Sequence, residues 1–344
     1  MIMYRALALQ MAVHPINYCT RKADARTLMM AAIARVAAAL DGVQVASNVV
    51  KLAVLPEYFL THFPMGMSMA QWRDWAALDA DGPEYEALAT LAQRHRCFLC
   101  VNAYELDANF PDTYFQANVI FGDSGDVVLR YRRLMSLHTP TPHDYWDKYL
   151  DLYGLEGTFP VARTAIGNLC AVASEEIQYP ELVRAFALRG AEVICHPSAE
   201  SLDLAVSGKD IAKRARAVEN MAFVVSANVA GHMGVPFLEQ SADGLSKVID
   251  YQGRVLTEAG QGESIAAGAD VNVSALRRFR NRPGMNNFFS RHRMELYRQA
   301  YTSTDFHPPN TLADRKPDRE FILQQQRNVM QRLLAKGIIE PDEL

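Results

Sequence analysis

Four apolar segments of this chain each end in polar residues of types that take part in chemistry. Glu57 follows LAVLP, Arg133 follows LRYR, Ser174 follows LCAVA, and Asn228 follows FVVSA. In α/β proteins the loops at strand ends carry binding and catalytic groups on a rigid scaffold. The four positions therefore predict a site that is built from strand ends.

These positions have chemical and plain structural interpretations. The apolar neighbours of Glu57 would partly desolvate its carboxylate, as in a general base, but a helix cap is the alternative. Ser174 precedes a helix that opens at Pro180, and backbone N–H groups at such an elbow assist a nucleophile, whereas an ordinary turn serine is the alternative. Arg132 and Arg133 are adjacent on a strand, so they point to opposite faces and only one can face the site.

The composition limits the classes of protein that can hold this site. The chain has 344 residues, of which 49% are apolar and 22% are charged, and its net charge is −4. This composition excludes a disordered chain, a collagen-like repeat and a disulfide scaffold, and it gives no electrostatic reason for nucleic-acid binding. Five cysteines, an odd number, favour a reducing compartment, with Cys97 and Cys100 as buried strand thiols.

Other features bear on location and cofactors. The opening segment MIMYRALALQMAVHP lacks the regions of a signal peptide. The alanine-rich segment 23–40 carries Arg26 and Arg35, which argues against a membrane span. We therefore expect a cytoplasmic protein without membrane contact. The histidines show no metal-ligand spacing and there is no glycine-rich phosphate loop, so we expect neither a metal nor a cofactor.

Apolar runs alternate with helical patterns, which predicts a layered α/β fold with mixed sheets. The predicted strands are 5–13, 51–56, 97–104, 117–121, 127–131, 169–173, 192–196, 223–228 and 246–250. The predicted helices are 23–41, 83–95, 180–190, 207–222 and 288–300, with a further amphipathic segment at 319–336. The strands on either side of the turn DSGD predict a hairpin.

The order of these motifs resembles the nitrilase, or carbon–nitrogen hydrolase, superfamily from the first strand to about residue 275. LPE at 55–57 resembles the family's first glutamate motif, and YRR at 131–133 resembles its Tyr-Arg-Lys motif. The block SEEIQYPELVRAFALRGAEVICHPSAE resembles the elbow that holds the nucleophile. RARAVEN at 214–220 and GLSKVIDYQGRVL at 244–256 are similar to further shared segments.

The resemblance implies a four-layer α-β-β-α sandwich over residues 1–280. The extended, charged character of residues 281–344 predicts either a solvated appendage or a C-terminal arm that packs on a partner subunit, and the resemblance implies a homodimer or larger homo-oligomer. The family's chemistry uses a glutamate base, a lysine and a cysteine nucleophile. Glu57 matches the base, but Arg133 stands at the lysine position and Ser174 at the cysteine position. A hydroxyl is harder to deprotonate than a thiol, and arginine does not release its proton at working pH.

A second glutamate often assists in this family, and no residue here clearly matches it. The candidates for assisting or substrate-binding roles are Glu156, Glu175, Glu176, His138, Tyr58 and Tyr179, with Asp144 and Asp147 as further acids. Ser174 is either natural or an engineered replacement of cysteine. One engineered change explains neither Arg133 nor the Glu175-Glu176 pair, so natural divergence is favoured.

Three functions stay open on the sequence. The favoured one is a hydrolase that acts on an amide, nitrile or ester bond of a small molecule. In it Glu57 is the base, Ser174 is the nucleophile, and Arg133 stabilises the oxyanion or a substrate anion. The second is an inactive member of the superfamily that binds a small anionic metabolite through Arg133. The third is a hydratase or lyase that uses Glu57 and Arg133 without a covalent step.

Overall fold

The computed structural model describes residues 1–45, 49–200, 207–235, 242, 244–303 and 306–341. Its strands are β1 (Met3–Ala8), β2 (Met11–Val13), β3 (Val50–Val54), β4 (Phe98–Glu105), β5 (Phe115–Phe121), β6 (Val127–Arg132), β7 (Ala162–Thr164), β8 (Gly167–Ala171), β9 (Val193–Pro197), β10 (Phe223–Ala227), β11 (Val229–His232), β12 (Lys247–Ile249), β13 (Val255–Glu258) and β14 (Gly268–Asn272). Its helices are α1 (Lys22–Val45), α2 (Met69–Ala76), α3 (Pro83–His95), α4 (Trp146–Thr158), α5 (Pro180–Leu188), α6 (Gly208–Asn220), α7 (Val273–Arg280), α8 (Glu295–Thr302) and α9 (Arg319–Ala335).

Two six-stranded mixed sheets form the centre of the fold. The first has the order β14-β1-β3-β4-β5-β6, in which β1, β3 and β4 are parallel and the outer strands are antiparallel. The second has the order β13-β12-β10-β9-β8-β7, in which β8, β9 and β10 are parallel. Each sheet therefore has three parallel strands, with one antiparallel strand on one side and an antiparallel pair on the other.

The sheets pack face to face through one buried cluster, and helices cover their outer faces. Cys100 of β4, Cys170 of β8 and Cys195 of β9 are all unpaired thiols in this cluster. Burial raises the pKa of Cys100 and of Cys170 above the usual value, so these thiols are core groups rather than nucleophiles. The predicted α-β-β-α sandwich is confirmed.

Helix α1 is long and apolar enough by length and composition to cross a membrane. In the fold it is an outer layer instead, because Met29 and Val36 on its inner face are buried in the cluster behind the first sheet. Arg26 of the same helix forms an ion pair with the buried Glu84 of α3 at 3.2 Å. The apolar stripe of α1 is therefore explained by packing within this chain.

The sequence located most of the central elements but missed several edge elements. The predicted first strand is two strands, β1 and β2, which are separated at Leu9 and Gln10. Helix α3 begins at Pro83, and the predicted hairpin is the antiparallel pair β5–β6. The missed elements are the short β7, β11, β13, β14, α2 and α7, together with the 13-residue α4.

The segment after residue 280 contacts loops of its own chain near the candidate site. Thr311 Oγ1 donates to Asp144 at 2.6 Å, Arg319 donates to the Pro64 carbonyl at 3.2 Å, and Gln326 donates to the Leu137 carbonyl at 3.0 Å. The segment carries helices α8 and α9, whose residues are not fully buried. Packing of this segment on a partner subunit stays a prediction.

Candidate active site

Glu57 lies at the end of β3, between the two sheets. Pro56 follows the strand, and the Glu57 backbone N–H donates at 3.2 Å to the carbonyl of Ser198, directly after β9 of the second sheet. The side chain is 1% exposed. Its Oε1 accepts hydrogen bonds from Gln116 Nε2 at 2.8 Å and from Arg133 Nη1 at 3.0 Å. The carboxylate is therefore buried but well paired.

Arg133 directly follows β6 and uses all three of its nitrogen atoms. Nε donates to the Met135 carbonyl at 2.8 Å, Nη1 donates to Gln116 Oε1 at 2.7 Å, and Nη2 pairs with Glu175. Burial alone would lower the pKa of Arg133, but Tyr58, Glu57 and Glu176 raise it above the usual value. Arg133 is thus a permanent cation, not a proton shuttle.

Arg132 points away from this site, as the alternation along a strand predicts. Its Nη1 pairs with Asp107 at 2.5 Å, and its guanidinium lies over the rings of Phe115 and Tyr153. The prediction that only one of the two arginines faces the site is confirmed.

Three buried amides behind Glu57 were missed at the sequence level. Asn102 Nδ2 donates to Asn118 Oδ1 at 2.8 Å, and Gln116 Nε2 donates to Asn102 Oδ1 at 3.1 Å. All three side chains lie on strands whose residues are otherwise buried and mostly apolar. Amide residues inside apolar strands could have indicated this site in the sequence, because a buried polar group needs a hydrogen-bond partner.

Ser174 occupies a tight elbow after β8. Its φ is +46°, a left-handed conformation that costs roughly 1–2 kcal/mol in a residue with a side chain. Its carbonyl accepts a hydrogen bond from His196 Nε2 at 2.8 Å, so Nε2 carries the proton and Nδ1 accepts from Ser226 Oγ at 2.8 Å. Burial, with Lys213 nearby, lowers the pKa of His196 to about 3. A neutral histidine therefore holds the elbow.

A lysine that the sequence analysis did not single out contacts the Ser174 hydroxyl. Lys209 lies in the first turn of α6, and its Nζ is 3.0 Å from Ser174 Oγ. The sequence signal that could have identified Lys209 was its position, because the first turn of a helix favours acidic residues and a lysine there is electrostatically unfavourable.

The two glutamates after Ser174 have different environments. Glu175 is 36% exposed and pairs with Arg133. Glu176 is fully buried, accepts from the Tyr131 hydroxyl at 2.8 Å and from the backbone N–H groups of Leu134 and Met135 at 2.8 and 3.0 Å. Burial raises the pKa of Glu176, although Arg133 and these hydrogen bonds oppose the shift. Glu176 therefore joins the elbow to the end of β6.

Tyr58 is the other residue from the candidate set that lies against Glu57. It has a φ of +62°, and burial together with the adjacent Glu57 raises its pKa above the usual value. A strained residue directly after a buried carboxylate is typical of a functional site.

The remaining candidates have contacts outside this group. Glu156 is 88% exposed and pairs with Arg189 of the surface, so its contacts do not support an assisting role. Asp144 caps the turn at Thr141 through a hydrogen bond of 2.8 Å. His138, Asp147 and Tyr179 are exposed side chains.

The structure brings the three predicted catalytic positions into one chain of contacts. Glu57 pairs with Arg133, Arg133 pairs with Glu175, and Glu175 is the neighbour of Ser174. Among the described residues, no hydrogen bond joins Glu57 directly to Ser174. Within that same part of the chain, no three histidine, cysteine, aspartate or glutamate side chains are grouped to hold a metal ion.

Two known proteins with related sequences have names that contain the word nitrilase. The bifunctional nitrilase/nitrile hydratase NIT4B of Lupinus angustifolius is 29% identical over 201 residues, which cover 54% of this chain and 53% of that protein. The match thus spans about half the length of that relative. Nitrilase homolog 2 of Dictyostelium discoideum is 23% identical over 255 residues, 74% of each chain.

Solved structures show the same fold. The carbon–nitrogen hydrolase from Helicobacter pylori G27 superposes with a TM-score of 0.63 at 20% identity, over 87% of this chain and 98% of that chain. Nit3 of Saccharomyces cerevisiae superposes with a TM-score of 0.61 at 22% identity, over 81% of this chain and 93% of that chain. The family model described as Carbon-nitrogen hydrolase matches residues 6–281. The chain therefore belongs to the carbon–nitrogen hydrolase family.

Proposed function

We propose that this protein hydrolyses an amide, nitrile or ester bond of a small molecule, with Ser174 as the nucleophile. The observation that carries the proposal is the chain of contacts from Glu57 through Arg133 to Glu175, beside the strained Ser174. Buried charge and backbone strain both oppose folding, and both occur here, because Glu57 and Arg133 are buried and Ser174 has a positive φ. Their position at the strand ends of a carbon–nitrogen hydrolase fold supports a catalytic role.

The burial of Ser174 favours a small substrate. Its side chain is 1% exposed, so an extended polymer has no access to Oγ in this conformation. Attack by Oγ on a carbonyl or nitrile carbon would give an acyl-serine or its imidate equivalent, which water then hydrolyses. Because the name of the Lupinus angustifolius relative includes nitrilase and nitrile hydratase, nitriles and the amides that form by their hydration are the first substrates to try.

Arg133 supports this reaction in two ways. It keeps the buried Glu57 charged and in place through the contact at 3.0 Å. Its Nη2 is bound by Glu175, the most exposed of its partners. A substrate oxygen that displaces Glu175 would meet a permanent cation, which is the electrostatic requirement for an oxyanion.

The binding-protein alternative has weaker support from the same contacts. An anionic metabolite must displace Glu175 and then bring a full charge beside Glu57, whereas a neutral amide or nitrile brings no charge into the site. Among the residues that the structure describes, no contact favours the hydratase or lyase alternative over hydrolysis.

Oligomerisation and location belong to the proposal as well. We place the protein in the cytoplasm as a homodimer or larger homo-oligomer that uses the segment 281–344. Several apolar side chains of that segment are more than 40% exposed, namely Met285, Met294, Leu296, Tyr297, Tyr301, Met330 and Ile338. Sedimentation of the full chain against a chain that ends at residue 280 tests the assembly.

Intact-mass analysis tests the proposed reaction. The full chain is incubated with a panel of small amides, nitriles and aryl esters, and product and covalent adduct are followed together. We expect turnover and an adduct on Ser174, both absent in Ser174→Ala. Cys170→Ala is the matched control, because this thiol lies on β8, just before the elbow, but is buried in the core. Turnover that survives Ser174→Ala would contradict the proposal.

A second comparison separates hydrolysis from binding alone. Saturable binding of a panel compound without product over long incubation, and weaker binding in Arg133→Ala, would support the binding protein instead. Ser174→Cys supplies the more nucleophilic thiol at the same elbow. We expect it to be acylated too, since the elbow geometry is unchanged.

A further inference from the structure

The Ser174 hydroxyl has a basic partner from the second half of the chain. Helix α6 begins at Gly208, and its N-cap Ser207 accepts a hydrogen bond from the Asp210 N–H at 2.9 Å. This start of the helix directs Lys209 toward the elbow. Lys209 Nζ lies 3.0 Å from Ser174 Oγ and 3.1 Å from the Ala199 carbonyl oxygen.

The neighbouring lysines are paired with carboxylates, whereas no carboxylate of the described residues forms an ion pair with Lys209. Lys213, one turn along α6, is 2% exposed and pairs with Glu200 at 2.5 Å. Lys247 pairs with Asp210 and with Glu258. Lys209 instead contacts a hydroxyl and a carbonyl, which are neutral oxygens. Within the described residues, therefore, no carboxylate shares the Lys209 amine with Ser174.

The other polar groups of the site are committed elsewhere. Arg133 cannot accept a proton, and Glu57 Oε1 already accepts two hydrogen bonds. Glu176 binds the Tyr131 hydroxyl and the backbone. His196 donates to the Ser174 carbonyl, not to the hydroxyl. In the described contacts Lys209 is the titratable group on Oγ.

We propose that Lys209 is a catalytic residue that takes the proton from Ser174 Oγ. This step rests on the proposed hydrolysis. The neutral amine accepts the hydroxyl proton as the Oγ–carbon bond forms. The resulting ammonium gives that proton to the leaving nitrogen as the carbon–nitrogen bond breaks. In deacylation Lys209 accepts a proton from the attacking water and returns it to Ser174 Oγ when the acid is released.

The proposal also accounts for the two departures at the family's catalytic positions. Arginine at position 133 leaves the site without the lysine that the family uses, and serine at position 174 needs a stronger base than a thiol does. A lysine from α6 supplies an amine at the hydroxyl itself. Glu57 then acts through Arg133 as a positioning residue.

The test compares two substitutions of Lys209 in the full chain. Lys209→Arg keeps the charge and the hydrogen-bond donors but cannot accept a proton, and Lys209→Met removes both. The readouts are the rate of Ser174 acylation by 4-nitrophenyl acetate and the rate of its labelling by a fluorophosphonate, both by intact mass. We expect both variants to lose about 10²–10⁴-fold. Lys148→Arg and Lys148→Met are the controls, because the exposed Lys148 also donates to a carbonyl, at 2.5 Å, and should change nothing.

Two further measurements separate a chemical role from a structural one. In a Ser174→Cys background the Lys209→Arg change should cost less than about tenfold, because a thiol needs less help from a base. Methylamine should partly restore Lys209→Ala.

The outcomes distinguish this inference from the proposed function. If Ser174 of the wild type reacts with neither probe, the proposed hydrolysis fails and this inference fails with it. If the wild type reacts and Lys209→Arg reacts equally fast, the hydrolysis stands and the role of Lys209 is overturned. Equal losses in the serine and cysteine backgrounds, with no rescue by methylamine, would likewise overturn it.

Discussion

The two halves of the candidate site have similar strand arrangements around them but opposite electrostatic designs. The first sheet supplies Glu57 and Arg133, which are buried and paired with each other and with the Gln116 amide. The second sheet supplies Ser174, whose hydroxyl contacts the half-buried Lys209 and whose carbonyl contacts the neutral His196. The first half holds fixed charge, and the second half presents a hydroxyl beside an amine.

This difference suggests a division of labour. Glu57 is buried and paired with a cation, so its carboxylate has a stable charge and a fixed position, which are poor properties for rapid proton transfer. Lys209 instead contacts two neutral oxygens among the described residues. The first half therefore supplies fixed charges around the site, and the second half supplies the groups between which we propose that the proton is transferred.

The largest expected effect on stability comes from removing the cation of the first half. Arg133→Met leaves Glu57 buried without its cation, so the free energy of unfolding should fall by about 3–5 kcal/mol in urea titrations. Arg254→Met is the control, because Arg254 pairs with Asp250 at 2.7 Å but is 67% exposed, and its loss should cost at most about 1 kcal/mol. Equal small losses in both variants would show that the Glu57–Arg133 pair does not stabilise the fold.

Substitution of Glu176, which joins the two halves of the site, should have the next largest effect on the unfolding free energy. In the native protein the Glu176 carboxylate accepts hydrogen bonds from the Tyr131 hydroxyl and from backbone N–H groups. The amide of Glu176→Gln is a weaker acceptor, and its NH₂ group faces donors, so the unfolding free energy should fall by about 2–3 kcal/mol. Glu175→Gln is matched to it one residue earlier, and its 36% exposure predicts a loss below about 1 kcal/mol. A reversed order would mean that Glu175, not Glu176, joins the elbow to β6.

The sequence predicted the first half better than the second. Glu57 and Arg133 lie in recognisable motifs, and the alternation along a strand correctly separated Arg132 from Arg133. Ser174 was placed by the strand-to-helix transition. Lys209 was not found, because its approach to Ser174 depends on how α6 packs across the second sheet, which no local pattern encodes.

The same limit applies to the fold. The parallel strands of the two six-stranded sheets are mostly buried apolar runs of five to eight residues, and α3 has a clear start signal at Pro83, so their positions were predictable. Strands β7, β11, β13 and β14 have three to five residues each, and none of them is a continuous apolar run. Their pairing partners, rather than their own sequences, hold them in the sheets.

The pH dependence of stability tests the second half. Because the pKa of His196 is lowered from 6.5 to about 3, the unfolded chain binds more protons between these values, and stability falls as pH falls below 6.5. From pH 7 to pH 5 this histidine should cost about 2 kcal/mol of unfolding free energy. In His196→Gln the fall should be smaller by that amount, measured by urea titration at both pH values. His307→Gln, at an exposed position, should leave the fall unchanged.

The smallest expected effect concerns the hydroxyl that orients His196. Ser226→Ala removes the donor to Nδ1, at 2.8 Å, and should cost about 1 kcal/mol of unfolding free energy. Without this donor the His196 ring is no longer held in the tautomer that carries its proton on Nε2, and the hydrogen bond to the Ser174 carbonyl weakens. Acylation of Ser174 should therefore slow by more than the loss of unfolding free energy alone would cause. Ser124→Ala is the control, since Ser124 donates to Asp126 at 2.9 Å in the exposed turn between β5 and β6 and should change stability by at most about 0.5 kcal/mol. Acylation at the wild-type rate in Ser226→Ala would show that the elbow keeps its geometry without the orienting hydroxyl.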